Sequence, residues 1–514
     1  MLTTAYTAGL LGIDGYPITV ECVVKRGLGG FELIGVPDTA VKEAKSRVRS
    51  AIENSGFEFF DCDILLNLAP ADIKKEGSAY DLSISVALLR SMEHIDRTIS
   101  FDGVCFIGEL ALSGEIRPVD GVLCRVLAAK NAGLHTVFVP PQNAKEASVV
   151  PGIKVHAPKS LRELVMHLRG EIPLPTYSFD RSEFESKAAS TRLDFADVKG
   201  QESAKRALEI AAAGGHNVLF IGPPGTGKSM LAKRLPTILP ELTFEEAVQT
   251  TGIWSAAGLM PHDCSLITER PFRSPHHTVS PISLIGGGAY PKPGEISLAH
   301  NGVLFLDELP EFGTAKTEVM RQPLEDKKVS VTRVNGRVVF PASFMLVCAM
   351  NPCRCGYYGH PTRECTCRPG DMKRYFSKVS GPLLDRIDIQ IEVPSLTYDQ
   401  MESNTPAETS AEIRRRVNAA RELALDRIRA DGGVAHSNAE LTEQQLRRYC
   451  ELGEDAKLLM REAFERLGLS ARGHDRVLRV ARTIADLDES EHILPEHIAE
   501  AIALRTLDKK YMMK

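Results

Sequence analysis

The sequence predicts an α/β protein made of an N-terminal α+β domain, an α/β core and a helical C-terminal region. Its 514 residues are enough for about three domains of ordinary size. Short apolar runs alternate with helical runs up to about residue 395, and only helical periodicity follows. A hydrophobic content of 43% with 25% charged residues is typical of globular proteins and excludes disordered and fibrous classes.

The N-terminal domain is expected at 1–170. There, β-like runs such as ITVECVV and DILLNLA alternate with helical runs such as AVKEAKSRVRSAIENSG and YDLSISVALLRSM, which is the pattern of an α+β domain. The next segment, 171–190, has weak periodicity and is interrupted by proline and serine. We therefore predict a linker at 171–190.

The α/β core is expected at 191–395. It opens with a helix that ends in Gly-Gly, followed by the strand NVLFIG, a glycine-rich turn and a second helix. The runs VLFLDEL and SFMLVCAMNP predict further strands. The third part, 396–514, is wholly helical, and one of its helices has a predicted buried face formed by Val477, Val480, Ala481, Ile484 and Leu487.

The charge balance does not indicate a partner. Sixty-two Lys and Arg against 67 Asp and Glu give a net charge of −5, so contact with nucleic acid requires a local basic loop or a channel. The sequence has no window of 18 consecutive apolar residues and no basic segment before a short apolar stretch at its start. These features predict a cytoplasmic protein that does not contact a membrane.

A phosphate-binding loop is the most specific motif. The stretch GPPGTGKS, 222–229, fits G-x-x-x-x-G-K-S and lies between a predicted strand and a predicted helix. In such a loop, successive backbone N–H groups turn toward phosphate oxygens, Lys228 reaches the β- and γ-phosphates, and Ser229 binds Mg²⁺. The predicted ligands are ATP and Mg²⁺, held by Gly222, Pro223, Pro224, Gly225, Thr226, Gly227, Lys228, Ser229 and Met230.

Two further strands end in polar side chains. The run VLFL precedes Asp307 and Glu308, and carboxyl ends of parallel strands gather at one edge of a sheet. We expect Asp307 to hold Mg²⁺ and Glu308 to orient the water that attacks the γ-phosphate. Asn351 follows the strand SFMLVCAM, where its amide would contact the γ-phosphate. A turn-forming Asn-Pro is the alternative for Asn351.

Four of the 11 cysteines form a cluster, Cys353, Cys355, Cys365 and Cys367, in a C-x-C, nine-residue, C-x-C pattern. Four thiolates can bind Zn²⁺ tetrahedrally, and reduced unliganded cysteines are the alternative. His360 is another candidate ligand. Nearby basic and aromatic residues suit contact with phosphates and bases, or the aromatics pack the loop; they are Arg354, Arg363, Arg368, Lys373, Arg374, Tyr357, Tyr358, Tyr375 and Phe376.

A second pair of metal-binding side chains, His276 and His277, is adjacent in sequence. Neighbouring side chains on a loop or strand are expected to point apart, so a shared metal ion is disfavoured. We expect a structural or substrate-facing role for this pair.

Five segments together resemble AAA+ ATPases: the phosphate loop, the strand that ends in Asp307, the run PFRSPHHTVSPISLIGGGAYPKPGEISLAHNG, the hairpin-like VSVTRVNGRVVFPAS, and SGPLLDRIDIQIEV. The resemblance is to the magnesium-chelatase-like branch and, within it, to the ComM (YifB) family. It implies a sensor 1 role for Asn351 and an arginine finger at Arg386, offered to the ATP of a neighbouring subunit. It also implies a sensor 2 arginine in the helical lid at Arg472, with Arg476 as a competitor by spacing.

The N-terminal domain resembles the C-terminal domain of Lon-type proteases, a ribosomal-S5-like fold, through GELALSGEIRPVDGVLCRVLAAKNAGLHTVFVPPQN. Such proteases need a serine nucleophile and a lysine base. Ala79 stands at the serine position and Leu123 at the lysine position, with Ser78 one residue away. The resemblance therefore implies a domain without peptidase activity.

The family resemblance implies an ATP-driven DNA translocase or helicase. Its implied activity is branch migration during homologous recombination in natural transformation. The implied partners are single- and double-stranded DNA, including branched junctions, and further copies of this chain in a hexamer. The alternatives are a magnesium-chelatase-type motor subunit and a protein-remodelling ATPase.

Overall fold

The computed structural model describes residues 2–27, 29–186, 193–261, 264–288, 291–333, 336–360, 362–402 and 407–505. The first region contains the strands β1 Leu2–Leu11, β2 Asp14–Arg26, β3 Phe31–Ile34, β4 Cys62–Ala69, β5 Val104–Phe106, β6 Glu109–Leu110, β7 Ile116–Arg117, β8 Thr136–Phe138, β9 Lys154–His156 and β10 Thr176–Tyr177. Its helices are α1 Thr39–Asn54, α2 Asp81–Ser91, α3 Val122–Asn131, α4 Ala144–Ser148, α5 Leu161–Leu168 and α6 Arg181–Ser186.

A mixed sheet of eight strands organises this region, in the order β10-β9-β8-β5-β1-β2-β4-β3. In β4, buried and exposed side chains alternate, and Ile64, Leu66 and Leu68 face the core, as one-sided burial requires. The edge strand β10 lies within the segment 171–190 that we predicted as a linker. Thr176 and Tyr177 pair antiparallel with β9, a contact that the sequence did not indicate because two residues are too few to show periodicity. Residues 187–190 lie outside the described part.

The second region contains the strands β11 Val218–Ile221, β12 Phe272–Arg273, β13 Gly286–Gly287, β14 Lys292–Pro293, β15 Val303–Leu306, β16 Lys328–Arg333, β17 Gly336–Pro341, β18 Met345–Met350 and β19 Ile389–Glu392. Its helices are α7 Glu202–Gly214, α8 Lys228–Arg234, α9 Phe244–Ala257, α10 Pro281–Ile285, α11 Glu295–Leu298, α12 Leu309–Glu318, α13 Arg321–Asp326, α14 Pro369–Phe376 and α15 Gly381–Leu384.

A five-stranded sheet forms the core of this region, in the order β12-β15-β18-β11-β19, with every neighbouring pair parallel. The side chains of β11, β15 and β18 are buried throughout, because helices cover both faces of the sheet. Helix α7 ends as predicted at a glycine, Gly215, whose φ of 74° is left-handed. The strand order brings the ends of β11, β18 and β15 side by side.

The third region is helical, with α16 Tyr398–Glu402, α17 Ser410–Ala430, α18 Glu443–Tyr449, α19 Glu454–Leu467, α20 Ala471–Leu487 and α21 Pro495–Ala503. Helix α17 begins at a capping box in which Thr409 and Glu412 bond each other's backbone. In α20 the predicted apolar face is buried at Val477, Val480, Ala481 and Ile484, while Leu487 is half-buried. Among the described residues, we find no helix both long and apolar enough to cross a membrane.

The N-terminal region packs directly on the core. Helix α3 lies on α9, where Gly121 N–H donates to Ser255 O at 3.0 Å. The turn between β1 and β2 meets the β16–β17 hairpin: a Cβ built on Gly12, whose φ is 67°, would lie 2.2 Å from Val338 Cγ1. Only glycine fits a left-handed position this close to a neighbouring side chain.

Candidate functional site

The phosphate loop follows β11 and leads into α8. Gly225 and Gly227 adopt φ values of 79° and 91°, which glycine accommodates without steric cost. A Cβ at Gly222 would lie 2.2 Å from Val393 O, so this backbone passes close to the end of β19. The glycines of the motif are therefore required by the path of the loop.

Lys228 is a buried cation. Its Nζ donates to Gly222 O and Pro223 O, both at 2.7 Å, and to Asn351 Oδ1 at 3.3 Å. Burial lowers the pKa of this amine to about 8. Since all three acceptors are neutral oxygens, the site fits an added anion such as a nucleotide phosphate.

Ser229 and Asp307 lie together at the edge of the sheet. Ser229 Oγ donates to Asp307 Oδ2 at 2.7 Å, although the two residues are 78 positions apart in the chain. The other carboxylate oxygen accepts the Glu308 N–H at 2.9 Å. A hydroxyl beside a carboxylate is a hard oxygen pair of the type that Mg²⁺ prefers.

Glu308 projects from this edge into solvent. Its φ of 53° is left-handed, and it precedes α12. His277 Nδ1 lies 3.6 Å from Glu308 Oε2, a neighbour that the sequence did not indicate because 31 positions separate the two. The rings of His276 and His277 lie 4.0 Å apart between centroids, so our expectation that they point apart was wrong.

Asn351 directly follows β18, which lies between β15 and β11 in the sheet. Gly222 N–H donates to Met350 O at 3.2 Å, so the end of β18 is joined to the start of the phosphate loop. The structure thus brings together four residues selected from the sequence, Lys228, Ser229, Asp307 and Asn351.

A glutamine that the sequence analysis did not select also contacts the phosphate loop. Gln201 Nε2 donates to Thr226 O at 3.3 Å and to Pro394 O at 2.8 Å. It therefore connects the loop with the residues that follow β19. No local signal predicts this contact, because Pro394 is 193 positions away.

Arg386 is buried just after α15. Its Nη1 donates to Pro382 O at 2.6 Å and its Nη2 to Glu325. Its Nε has no hydrogen-bond partner within the described ranges. A buried guanidinium with one unsatisfied N–H retains the capacity to donate to a further acceptor.

Arg386 and Arg472 line one cavity of about 750 Å³, together with Arg476 and Arg479. Of the described residues that line it, none belongs to 222–230. Arg476 Nη1 donates to Asp388 Oδ1 at 2.6 Å. Burial raises the pKa of Asp388, but the His216 hydrogen bond and the Arg476 charge outweigh burial and hold this pKa well below its usual range. Arg476 is thus ion-paired within its own chain.

The four clustered cysteines converge. Their Sγ atoms all lie within 4.8 Å of one another. Cys353 Sγ lies 3.3 Å from Cys355 Sγ and 3.6 Å from Cys365 Sγ, whereas a tetrahedron with Zn–S bonds of about 2.3 Å has edges of about 3.8 Å. The arrangement fits a metal ion of this size. In the described part of the chain, this is the one group of three or more side chains close enough to share a metal ion.

His360 is engaged outside the thiol cluster. Its Nε2 lies 3.2 Å from Ser395 Oγ, and its Nδ1 accepts the Thr362 N–H at 3.2 Å.

Burial raises the pKa of Cys355, but backbone N–H groups and the Cys353 and Cys367 thiols outweigh it and lower this pKa to about 6. A lowered pKa favours the thiolate, which is the form that binds metals. Burial raises the pKa values of the other three thiols, Cys353, Cys365 and Cys367.

The basic and aromatic residues near the cluster differ in exposure. The five basic side chains are exposed, whereas Tyr375 is buried and Tyr357 half-buried. Arg363 lies over the Tyr357 ring at 5.1 Å and donates to its hydroxyl at 2.8 Å. The aromatics thus pack within the loop, which favours that alternative over base stacking.

In the N-terminal region, both positions aligned with the protease dyad are apolar and buried: Ala79 is 3% exposed and Leu123 0%. The Leu123 N–H donates to Glu146 Oε1 at 2.9 Å, and Glu146 also accepts from Ser255 Oγ. Ser78 Oγ donates to Glu109. Within the described residues, the hydrogen-bond partner of Ser78 Oγ is thus a carboxylate and not a lysine.

Three profiles of one family match the chain: "Subunit ChlI of Mg-chelatase" over 20–143, "Magnesium chelatase, subunit ChlI" over 194–401, and its C-terminal part over 407–505. The competence protein ComM of Haemophilus influenzae is 41% identical over 98% of both chains. YifB of Escherichia coli is 42% identical over 99% of this chain and 98% of its own. A Lon protease of Geobacter metallireducens is 27% identical over 27% of this chain and 17% of its own.

The parallel sheet, its phosphate loop and these matches define a magnesium-chelatase-like AAA+ ATPase with a Lon-like N-terminal region. Two relatives, ComM and YifB, are more than 40% identical to this chain over nearly the full length, which identifies one family within this class. The chain belongs to the ComM/YifB family.

Proposed function

We propose that this chain hydrolyses ATP at the edge of the five-stranded sheet. The observation that carries the proposal is the convergence of Lys228, Ser229, Asp307 and Asn351 at that edge. In this proposal Lys228 binds phosphate oxygens, while Ser229 and Asp307 hold Mg²⁺. When bound, the ion would neutralise part of the negative charge of the triphosphate. Glu308 orients and deprotonates the attacking water, and Asn351 donates its amide N–H to the γ-phosphate.

We propose that the site is completed by a neighbouring copy of the chain in a ring, most simply a hexamer. Arg386 and Arg472 line a cavity separate from the phosphate loop, which supports their acting on a neighbour's nucleotide rather than on their own. The free Nε of Arg386 supports the same role. To reach a neighbour, Arg386 must release Glu325. Arg472, rather than the ion-paired Arg476, is our choice for sensor 2.

We propose that the ring moves DNA and promotes branch migration during recombination of incoming DNA, in the cytoplasm. The name of the Haemophilus influenzae relative, competence protein ComM, supports this. The exposed basic side chains beside the cysteines supply local positive charge despite the net charge of −5. Single-stranded and double-stranded segments of branched junctions are the proposed partners.

We also propose that Cys353, Cys355, Cys365 and Cys367 hold a structural zinc ion. The sulfur spacing carries this proposal. The four side chains come from two C-x-C pairs, so one ion would close a loop of 15 residues.

The test compares ATP turnover of the purified chain without DNA, with single strands, with duplex and with a four-way junction, followed by a strand-displacement assay on the junction. We expect DNA to raise turnover and the junction to be resolved only with ATP. Lys228→Ala is the matched control variant, because it removes the amine proposed to bind phosphate and leaves in place the exposed basic residues proposed to contact DNA.

The same assay separates two rival functions. A chelatase-type motor, which the family description favours, predicts turnover indifferent to DNA and metal insertion into a porphyrin with partner subunits. A protein-remodelling ATPase, which the Lon-like region favours, predicts stimulation by unfolded polypeptide. Turnover unchanged by every DNA form, with no junction resolved, would refute the translocase proposal.

A further inference from the structure

The residues that carry the thiols, 352–368, form a segment that we term the cysteine loop. It begins directly after Asn351, the residue that accepts a hydrogen bond from Lys228 Nζ. Cys353, the first thiol, is fully buried, and Cys355 N–H donates to Cys367 Sγ at 3.4 Å. The thiol cluster therefore starts two residues from the candidate nucleotide site.

The cysteine loop contacts the phosphate loop directly. Gly356 lies one residue after Cys355 with a left-handed φ of 88°, and a Cβ built on it would lie 2.8 Å from Pro224 Cδ. A separation this small leaves no room for any other side chain. The backbone between the two cysteine pairs thus rests on the ring of Pro224, within the motif GPPGTGKS.

Two more contacts hold the cysteine loop over the same edge of the sheet. His360 Nε2 lies 3.2 Å from Ser395 Oγ, just beyond β19. Tyr375, in the helix that follows the loop, donates its hydroxyl to Asn351 O at 3.2 Å. The loop therefore touches residues that follow β11, β18 and β19, which are the three strands around the phosphate loop.

We propose that a metal ion bound by the four thiolates acts as a clasp on the phosphate loop, so that metal occupancy strengthens nucleotide binding. This inference rests on the nucleotide site and the zinc site proposed above. The physical reason is loop entropy: a metal ion that joins cysteines 10 to 14 positions apart removes conformational freedom that folding would otherwise have to restrict. The ordered loop then fixes Pro224 and the backbone N–H groups that follow it.

The experiment uses the full-length chain and a fluorescent ATP analogue. Zinc content is measured first, then the analogue's dissociation constant with Mg²⁺ in excess, before and after removal of zinc with a zinc-selective chelator. We expect one zinc ion per chain and about tenfold weaker binding after removal, the size expected when one backbone residue loses its order. Restoring zinc should restore affinity. Cys365→Ser should behave like the chelated protein, and Cys264→Ser, outside the cluster, like the unaltered one.

A second variant separates the contact from the metal. Gly356→Ala adds a Cβ against Pro224 and leaves all four thiols in place. We expect stoichiometric zinc with weakened binding of the analogue. Zinc removal that leaves affinity unchanged would overturn the clasp while leaving the nucleotide and zinc sites standing. A chain that binds the analogue but never zinc would overturn both the clasp and the zinc site. Failure of the unaltered, zinc-loaded chain to bind the analogue would overturn the proposed function itself.

Discussion

The Lon-like region and the ATPase core differ in what lies at their catalytic positions. In the core, polar side chains meet at one edge of a sheet: Lys228 donates to Asn351, and Ser229 donates to Asp307. In the Lon-like region, Ala79 and Leu123 stand at the dyad positions and are buried. The comparison teaches that likeness to a catalytic fold does not supply the catalytic side chains, which have to be checked position by position.

The Lon-like region contacts the ATPase core through polar side chains. Glu146 accepts hydrogen bonds from Leu123 N–H and from Ser255 of the core, and Lys292 of the core forms an ion pair with Asp120 at 3.1 Å. Burial raises the pKa of Glu146. A buried carboxyl that accepts the backbone N–H of Leu123 thus also bonds to the ATPase core, so this part of the Lon-like region packs against the core.

The largest expected effect comes from removing Arg386. Because its guanidinium is proposed to stabilise charge on a neighbour's phosphate, Arg386→Ala should lower ATP turnover about 10³- to 10⁵-fold and leave binding of the ATP analogue intact. Steady-state turnover and analogue binding check this. Arg461→Ala, at an exposed helical position, is the matched control and should turn over normally.

Mixing variants sharpens this prediction. Lys228→Ala subunits supply Arg386 but bind no nucleotide, and Arg386→Ala subunits bind nucleotide without the guanidinium. Mixed rings should regain measurable turnover. If the two inactive variants stayed inactive when mixed, the site would belong to one chain. Full turnover by Arg386→Ala alone would lead to the same conclusion.

Glu308→Gln should have the next largest effect. The amide keeps the size of the side chain and loses the base, so hydrolysis should fall about 10²- to 10⁴-fold while ATP remains bound. Retention of radiolabelled ATP by the ring measures this. The Lon-like region offers no equivalent substitution, because Ala79 and Leu123 occupy the dyad positions and neither side chain is an acid or a base. Unchanged hydrolysis would assign water activation to another residue.

Raising the pH should weaken nucleotide binding moderately. The pKa of Lys228 is lowered to about 8, so below pH 8 the free site carries the positive charge that a triphosphate requires, and above it the amine is neutral. Binding must then take up a proton, and affinity should fall about tenfold from pH 7 to pH 9. Calorimetry of the ATP analogue in two buffers of different ionisation enthalpy measures the uptake. Binding without proton uptake at pH 9 contradicts the assignment.

The smallest effect is expected for Ala79→Ser. The added hydroxyl at a buried position should cost about 1 kcal/mol of the free energy of unfolding. It should create no peptidase activity, because Leu123 provides no base, and ATP turnover should be unchanged. Thermal unfolding and a casein assay check both regions in one sample. Casein cleavage by this variant would mean that a lysine elsewhere serves the site.

Contiguous motifs explain what could be predicted from the sequence. GPPGTGKS, VLFLDE and the strand before Asn351 each carry their own periodicity or spacing, so their place at one sheet edge followed from parallel topology. Contacts between distant segments did not: His277 with Glu308, Glu325 with Arg386, and Gln201 with Pro394 arise only from tertiary packing. The strand β10 was missed because two residues are too few to show a period.

The close approach of Gly12 to Val338 joins the N-terminal sheet to the β16–β17 hairpin of the core. The β1–β2 turn leaves no space for a side chain beside the β16–β17 hairpin, and β1 and β2 are interior strands of the eight-stranded sheet. A residue larger than glycine at position 12 would therefore press on Val338 and disturb the fit between this sheet and the core.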